Sequence, residues 1–169
     1  MSTSETVVIA DSSPFIHLDR IGRLDLLPMV FGDVTVPEIV ANEVGRGEVN
    51  VFGIVGIVGI NLRILSWVSI VPDRMDPDIA ADGALHQGEV AALSLARAKT
   101  QHLLIIDDLA GRKAAQRLGL RFIGTAGAVI RARKAGLIPS AAQLFDDLAA
   151  DGFRLAEPVR RNLLALVGE

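Results

Sequence analysis

The 169-residue chain reads as a single α/β domain, three layers deep, with helices on both faces of a mainly parallel sheet. Two observations predict that class. Short apolar runs recur at 7–10 (VVIA), 33–36 (DVTV), 67–71 (WVSIV), 103–106 (LLII) and 121–124 (RFIG), and stretches with helical periodicity lie between them. Strands that alternate with helices need crossover connections, which favour parallel pairing. No linker-like stretch interrupts the pattern, so one domain is expected over 1–169, with the C-terminal helices from about residue 126 included.

The first apolar run, VVIA, suits a strand buried on both faces. SPFIHLDRIGRLDLL (13–27) follows as one helix or two short ones, with Ser13 as cap and Pro14 in the first turn. After DVTV, PEIVANEV (37–44) opens a helix on Pro and Glu, both suited to a first turn. WVSIV fits a strand, at an edge position or as an extended segment outside the sheet. GEVAALSLARA (88–98) is helical, LLII is a buried strand, and AGRKAAQRLG (110–119) is a helix ending in Gly. RFIG is a further strand, and helices are expected at 126–135, 140–150 and 158–167.

Composition excludes several function classes. Half the residues are hydrophobic and 22% are charged, which argues against disorder. Cysteine is absent, so disulfides, thiolate metal sites and cysteine nucleophiles are excluded. Aromatics make up 4% with no Tyr, too few for an aromatic platform as the main binding mode. The net charge of −3 supplies no global attraction for nucleic acid, so such a substrate needs a local basic patch, a metal ion or a basic partner. MSTSETVVIAD lacks the basic region and long apolar run of a signal peptide, and a cytoplasmic location is expected. VFGIVGIVGI (51–60) repeats a Gly-terminated apolar triplet. It is too short and too Gly-rich for a span of about 20 apolar residues, and is expected to be buried or to face a second copy of the chain.

Chemistry concentrates in carboxylates. Two apolar strands end in acid, VVIA in Asp11 and LLII in Asp107-Asp108. In an open parallel sheet, ligands bind outside the carboxyl ends of the strands. Asp11 and Asp108 also each fit a helix cap. Glu43 lies four residues after Ile39 and three after Val40, on the apolar face of its helix. Glu89 shares a face with Ala92, Leu93 and Ala96, and it also suits a first helical turn. Glu38 reads as a first-turn acid only. An inward carboxylate is costly without a cation or a solvated cleft. Four acids, Asp11, Glu43, Glu89 and Asp108, can therefore converge, and hard carboxylate oxygens suit Mg²⁺ or Mn²⁺. The histidines form no rival constellation: His17 is expected on a helix surface and His102 in a loop, and the spacing of His86, three before Glu89, allows a supporting place beside it without requiring one. Phosphate-binding Gly loops and the G-x-S-x-G elbow are absent.

The segments VVIADSSPFIHLDRIGRLDLL, VTVPEIVANEV, GEVAALSLA and LLIIDDLAGRKAAQRLGL resemble, in order and spacing, the PIN-domain family of metal-dependent ribonucleases. That family includes toxins of prokaryotic toxin–antitoxin pairs, and the closer likeness is to its branch of predicted nucleic-acid-binding proteins. The resemblance implies that Asp11, Glu43, Glu89 and Asp108 are the four family acids, with Asp107 an alternative metal ligand and Ser13 a support for the site. It implies a PIN-like fold, Mg²⁺ or Mn²⁺ as cofactor, RNA as substrate and an antitoxin protein as partner. Arg112 and Lys113 are candidates to hold substrate phosphates, or simply form an exposed helix face. Two departures stand out: the third acid sits in GEVAA rather than in an aspartate-led helix, and residues 51–61 have no counterpart.

The expected function is thus a metal-dependent endoribonuclease, the toxin of such a pair, acting as a homodimer away from membranes. A PIN-like binding module without turnover is the alternative. A metal-dependent phosphatase with an aspartyl nucleophile expects a second Asp two residues after the first, where this chain has Ser13.

Overall fold

The computed structural model describes residues 5–46 and 59–169. Expectations for 51–58 therefore fall outside the described residues. Five strands form one parallel sheet: β1 (Val7–Ala10), β2 (Val34–Pro37), β3 (Val68–Val71), β4 (His102–Ile105) and β5 (Phe122–Ile123), in the order β3-β2-β1-β4-β5. WVSIV is thus an edge strand.

Side-chain alternation splits the core into two layers. Val8 and Ala10 of β1 and Ile105 of β4 face one layer, with Val34 and Val36 of β2. There they meet α1 (Ser12–Arg20), α2 (Leu26–Phe31), α3 (Glu38–Arg46), α7 (Thr125–Lys134) and α8 (Ala141–Ala150). Ile9, Leu104 and Ile106 face the other, packed by α4 (Pro77–Ala80), α5 (Gln87–Arg97) and α6 (Leu109–Arg117). A last helix, α9 (Glu157–Ala165), lies outermost on the first layer through Leu163 and Leu164. Leu104 has no exposed surface, and its truncation to Ala should cost roughly 2–5 kcal/mol.

Several local readings are settled or corrected. The helical stretch after β1 is two helices, because Gly22 adopts φ +68° and the Arg23 N–H turns back to the Leu18 carbonyl at 2.7 Å. Helix α1 starts at Ser12, so Ser13 is a first-turn residue rather than the cap. Pro37 closes β2 instead of opening α3, whose first turn is held by Asp73 accepting from the Ile39 N–H at 2.8 Å. His102 is no loop residue: it begins β4, buried, with Nδ1 donating to the Lys99 carbonyl and Nε2 accepting from the Arg121 N–H. His17 is half-buried, edge-on to Phe153 with ring centroids 4.9 Å apart. Helix α4 and a short 3-10 turn at Leu62–Ile64 have no counterpart in the sequence reading, being shorter than any periodicity can reveal.

Candidate metal centre

The strand order reverses direction between β1 and β4, the switch point where such sheets open a crevice. Ala10 pairs with Ile105, so Asp11 and the Asp107-Asp108 pair emerge side by side. Asp11 is anchored through its backbone, its N–H donating to the Ile105 carbonyl at 3.1 Å. Its side chain is fully buried and neither oxygen has a hydrogen-bond partner. It makes no cap bond to α1, although it occupies the position of one. Burial pushes its pKa up to about 6; the Ser12 N–H pulls back, Glu43 and Asp107 add to the rise, and His86 opposes it.

Glu89 comes from the first turn of α5 on the other side of the crevice. One oxygen accepts from the His86 N–H at 3.0 Å, the backward half of a capping box. The other oxygen, Oε1, is buried without a hydrogen bond and lies 3.4 Å from His86 Nε2. Burial raises the Glu89 pKa, His86 moderates it, and the charges of Asp108 and Asp11 raise it further. His86 therefore touches the site, at its solvent side, with 64% of its side chain exposed.

Glu43 leans in from α3, half-buried. A Cβ built on Gly88 would come within 2.8 Å of the Glu43 carboxyl carbon, so the absence of a side chain at 88 makes room for that carboxylate. Gly124 does the same for Asp107, whose Oδ1 would lie 2.8 Å from an added Cβ. Asp107 is also committed to structure: Oδ1 accepts from the Thr125 N–H at 2.7 Å and Oδ2 from the Thr125 hydroxyl at 2.6 Å, which fixes the start of α7. Asp108 caps α6, its Oδ1 accepting from the Ala110 N–H at 2.8 Å and the Gly111 N–H at 3.4 Å. Its second oxygen is unused by the cap.

The five predicted acids thus gather at the carboxyl ends of β1 and β4, where Asp11 feels the charges of Glu43 and Asp107, and Glu89 those of Asp11 and Asp108. Asp11 and Glu89 are the inner pair, Glu43 stands at the α3 wall, and Asp107 and Asp108 at the β4 end. Among the described residues, no three acidic or histidine side chains close on one point tightly enough to form a ready-made metal-binding group. The donor set nevertheless fits a hard divalent cation: three buried carboxylate oxygens have no hydrogen bond of their own, and like charges crowd around them. Ser13 sits in the first turn of α1, two residues after Asp11, and Arg112 and Lys113 lie exposed on α6. What sequence reasoning missed is the bond between Thr125 and Asp107 and the room left by Gly88 and Gly124; a contact 18 residues apart leaves no local signature.

The fold and site define a doubly wound α/β domain with carboxylates gathered at its switch point. The chain belongs to the PIN-domain family: that family's model (DUF3368, PIN domain) matches residues 7–169. Members of this family are generally nucleases and typically bind divalent metals. No curated protein and no solved structure matches the chain. Among the described residues, no helix is long and apolar enough to cross a membrane.

Proposed function

We propose that the chain is a Mg²⁺- or Mn²⁺-dependent endoribonuclease, the toxin of a toxin–antitoxin pair. The observation that carries this reading is the inner pair: Asp11 with both oxygens buried and without a hydrogen bond, and Glu89, whose Oε1 is likewise buried without one and which feels the Asp11 charge. Unpaired buried carboxylates of this kind cost several kcal/mol unless a cation completes them. Asp11 and Glu89 would hold the cation, with Glu43 and the free oxygen of Asp108 beside it and Asp107 a further candidate. When bound, a divalent ion supplies Lewis-acid activation of water and charge neutralisation at a phosphodiester. The protein groups orient and shield: the β1 and β4 ends fix the acids, and Ser13 lies in the turn that carries Asp11. Arg112 and Lys113, exposed and without an ion pair among the described residues, are placed to hold neighbouring phosphates.

As a toxin, the protein would act as a homodimer, and a basic antitoxin segment would neutralise the acidic crevice by pairing an Arg with its carboxylates. Light scattering tests the dimer, and growth arrest on expression, relieved by Asp11→Asn, tests the toxin role. The decisive assay is cleavage of structured and unstructured RNA with Mg²⁺, Mn²⁺ or chelator. Wild type should cleave with metal only, and Asp11→Asn should lose about a hundredfold or more of the rate.

A second reading, a PIN-like binding module without turnover, is favoured by one observation. Asp107 and Asp108 are occupied by Thr125 and by the α6 cap, and no compact three-residue metal group stands among the described residues. RNA binding without cleavage under every metal condition would establish it.

A further inference from the structure

We infer that the cavity next to the acidic crevice, enclosed by β5, α6, α7 and α9, is a subsite for one RNA nucleotide beside the scissile phosphate. The inference rests on the ribonuclease reading of the crevice and deepens it. The cavity measures about 300 Å³, at the lower end of the roughly 300–1,000 Å³ typical of small-ligand sites. Asp107 lines one end of it, and the same Asp107 charge acts on Asp11 in the crevice. Asp107 therefore stands between the cavity and Asp11.

The lining suits a nucleotide in both of its parts. Two cations stand on it, Arg112 from α6 and Arg154 from the segment before α9. Neither has an ion pair among the described residues, so both guanidinium groups remain available to an anionic ligand. The Arg112 guanidinium lies over the Phe122 ring, 5.8 Å from its centroid. That contact holds the planar cation in place with its far side open, ready to stack a base or to fork onto a phosphate. Between the two arginines the wall is apolar, from Phe122, Phe153 and Val159. An apolar slot with cations at its rim and an acidic metal-type crevice next door fits a base in the slot and its phosphates at the rim. A carboxylate or inorganic phosphate would leave the slot unfilled. With a net charge of −3, a local basic feature is one of the few sources of attraction for RNA open to this scaffold, beside a metal ion or a basic partner.

The test uses the full chain, isotope-labelled, with a short single-stranded RNA in chelator, so that binding is read without cleavage. Resonances of Phe122, Phe153 and Val159 should shift together with those of Arg112. Val159→Trp fills the slot at a half-exposed position while leaving both arginines. It should weaken RNA binding by roughly tenfold, the order of a lost stacking contact, at unchanged melting temperature. If Val159→Trp folds poorly, Arg154→Ala, at an exposed position, is the companion variant, and a several-fold loss is expected. An RNA with an abasic nucleotide should bind wild type as weakly as intact RNA binds Val159→Trp. An abasic RNA that binds as tightly as intact RNA overturns the proposal. RNA that shifts the crevice but leaves the slot silent also overturns it, leaves the ribonuclease reading standing, and marks the slot for another class of ligand, such as a protein side chain. Failure of the ribonuclease reading shows separately, as absence of Mn²⁺-dependent cleavage.

Discussion

Two carboxylate environments in this molecule are opposites. At the crevice, Asp11 is buried with no hydrogen bond of normal geometry on either oxygen, only the nearby Ser12 N–H pulling against the burial that pushes its pKa up to about 6. At the far end of the chain, the Glu169 side chain collects four donors. Oε1 accepts from Arg133 Nε at 2.7 Å and the Ala141 N–H at 3.0 Å, and Oε2 from the Ser140 hydroxyl and the Ala142 N–H, both at 2.9 Å. The Ala142 N–H, Arg133 and the Ala141 N–H pull the Glu169 pKa down to about 2. The fold supplies donors where a carboxylate has a structural task, here capping α8. It withholds them where the carboxylate is kept for something that is not part of the protein. Asp108 stands between the two, one oxygen in a cap and one left over.

The largest effect expected from this contrast is at Asp11. Its raised native pKa means that the folded state holds the proton more tightly than the unfolded chain does. Without metal, folding is therefore undisturbed below about pH 3.8 and carries the full cost of the buried charge above about pH 6. A shift of that size corresponds to about 3 kcal/mol. Asp11→Asn should flatten this dependence. In chelator, its stability relative to wild type should rise between pH 4 and pH 7, offset in part by the unbonded amide it leaves. Mn²⁺ at about 100 times its Kd should stabilise wild type by roughly 2.7 kcal/mol and the variant far less. Parallel pH-stability curves, with equal responses to Mn²⁺, would make Asp11 a structural residue.

A smaller effect is expected at Gly88, where an alanine would displace the Glu43 carboxylate without deleting it. The far end of a Glu side chain moves at little cost, so Gly88→Ala should melt close to wild type. Cleavage should fall by about tenfold, the order of a mispositioned ligand. An unchanged rate would mean that the position of Glu43 is irrelevant to the chemistry.

The fold was legible because its signals are local. Buried strands announce themselves as VVIA and LLII, and the acids that end them mark the edge where a parallel sheet binds ligands. Strand Pro37 and buried His102 were misplaced because tertiary contacts decided them: pairing to β3 for one, two backbone partners for the other. Asp11, Glu43 and Glu89 could be nominated from strand ends and helical faces. Their provision with donors could not, since Thr125 reaches Asp107 across 18 residues and Glu169 reaches Ala141 across 28. The cavity lined by Arg112, Phe122 and Arg154 was invisible for the same reason.

The Glu169 clasp breaks or sharpens the comparison from its other side. Glu169→Gln keeps the shape and removes the charge that four donors converge on. Amide hydrogen exchange at Ala141 and Ala142 should quicken, and the melting temperature should drop slightly. The sign with pH is the reverse of that at Asp11. Because the native pKa is lowered, the clasp stabilises fully above about pH 4.5, and its contribution fades as pH falls towards 2. Wild type and variant should therefore converge in stability over that window. A constant difference down to pH 2 would show that the carboxylate charge is not what the donors hold.

The most discriminating comparison belongs to Asp108. Its Oδ1 caps α6 through the Ala110 and Gly111 N–H groups, and its charge also acts on Glu89. Ser is as good a cap as Asp but carries no second oxygen for a cation, whereas Ala provides neither function. Asp108→Ala should cost about 1 kcal/mol, and Asp108→Ser only a few tenths. Metal-dependent cleavage should fall in both, and by a similar factor, because both remove the oxygen that the cap leaves free. If Asp108→Ser restores wild-type cleavage together with wild-type stability, the cap is the whole of its role, and the β4 end of the site rests on Asp107 alone. Asp107 would then have to exchange its bonds to Thr125 for a metal, and Thr125→Val, which removes the hydroxyl donor, should raise metal affinity rather than lower it.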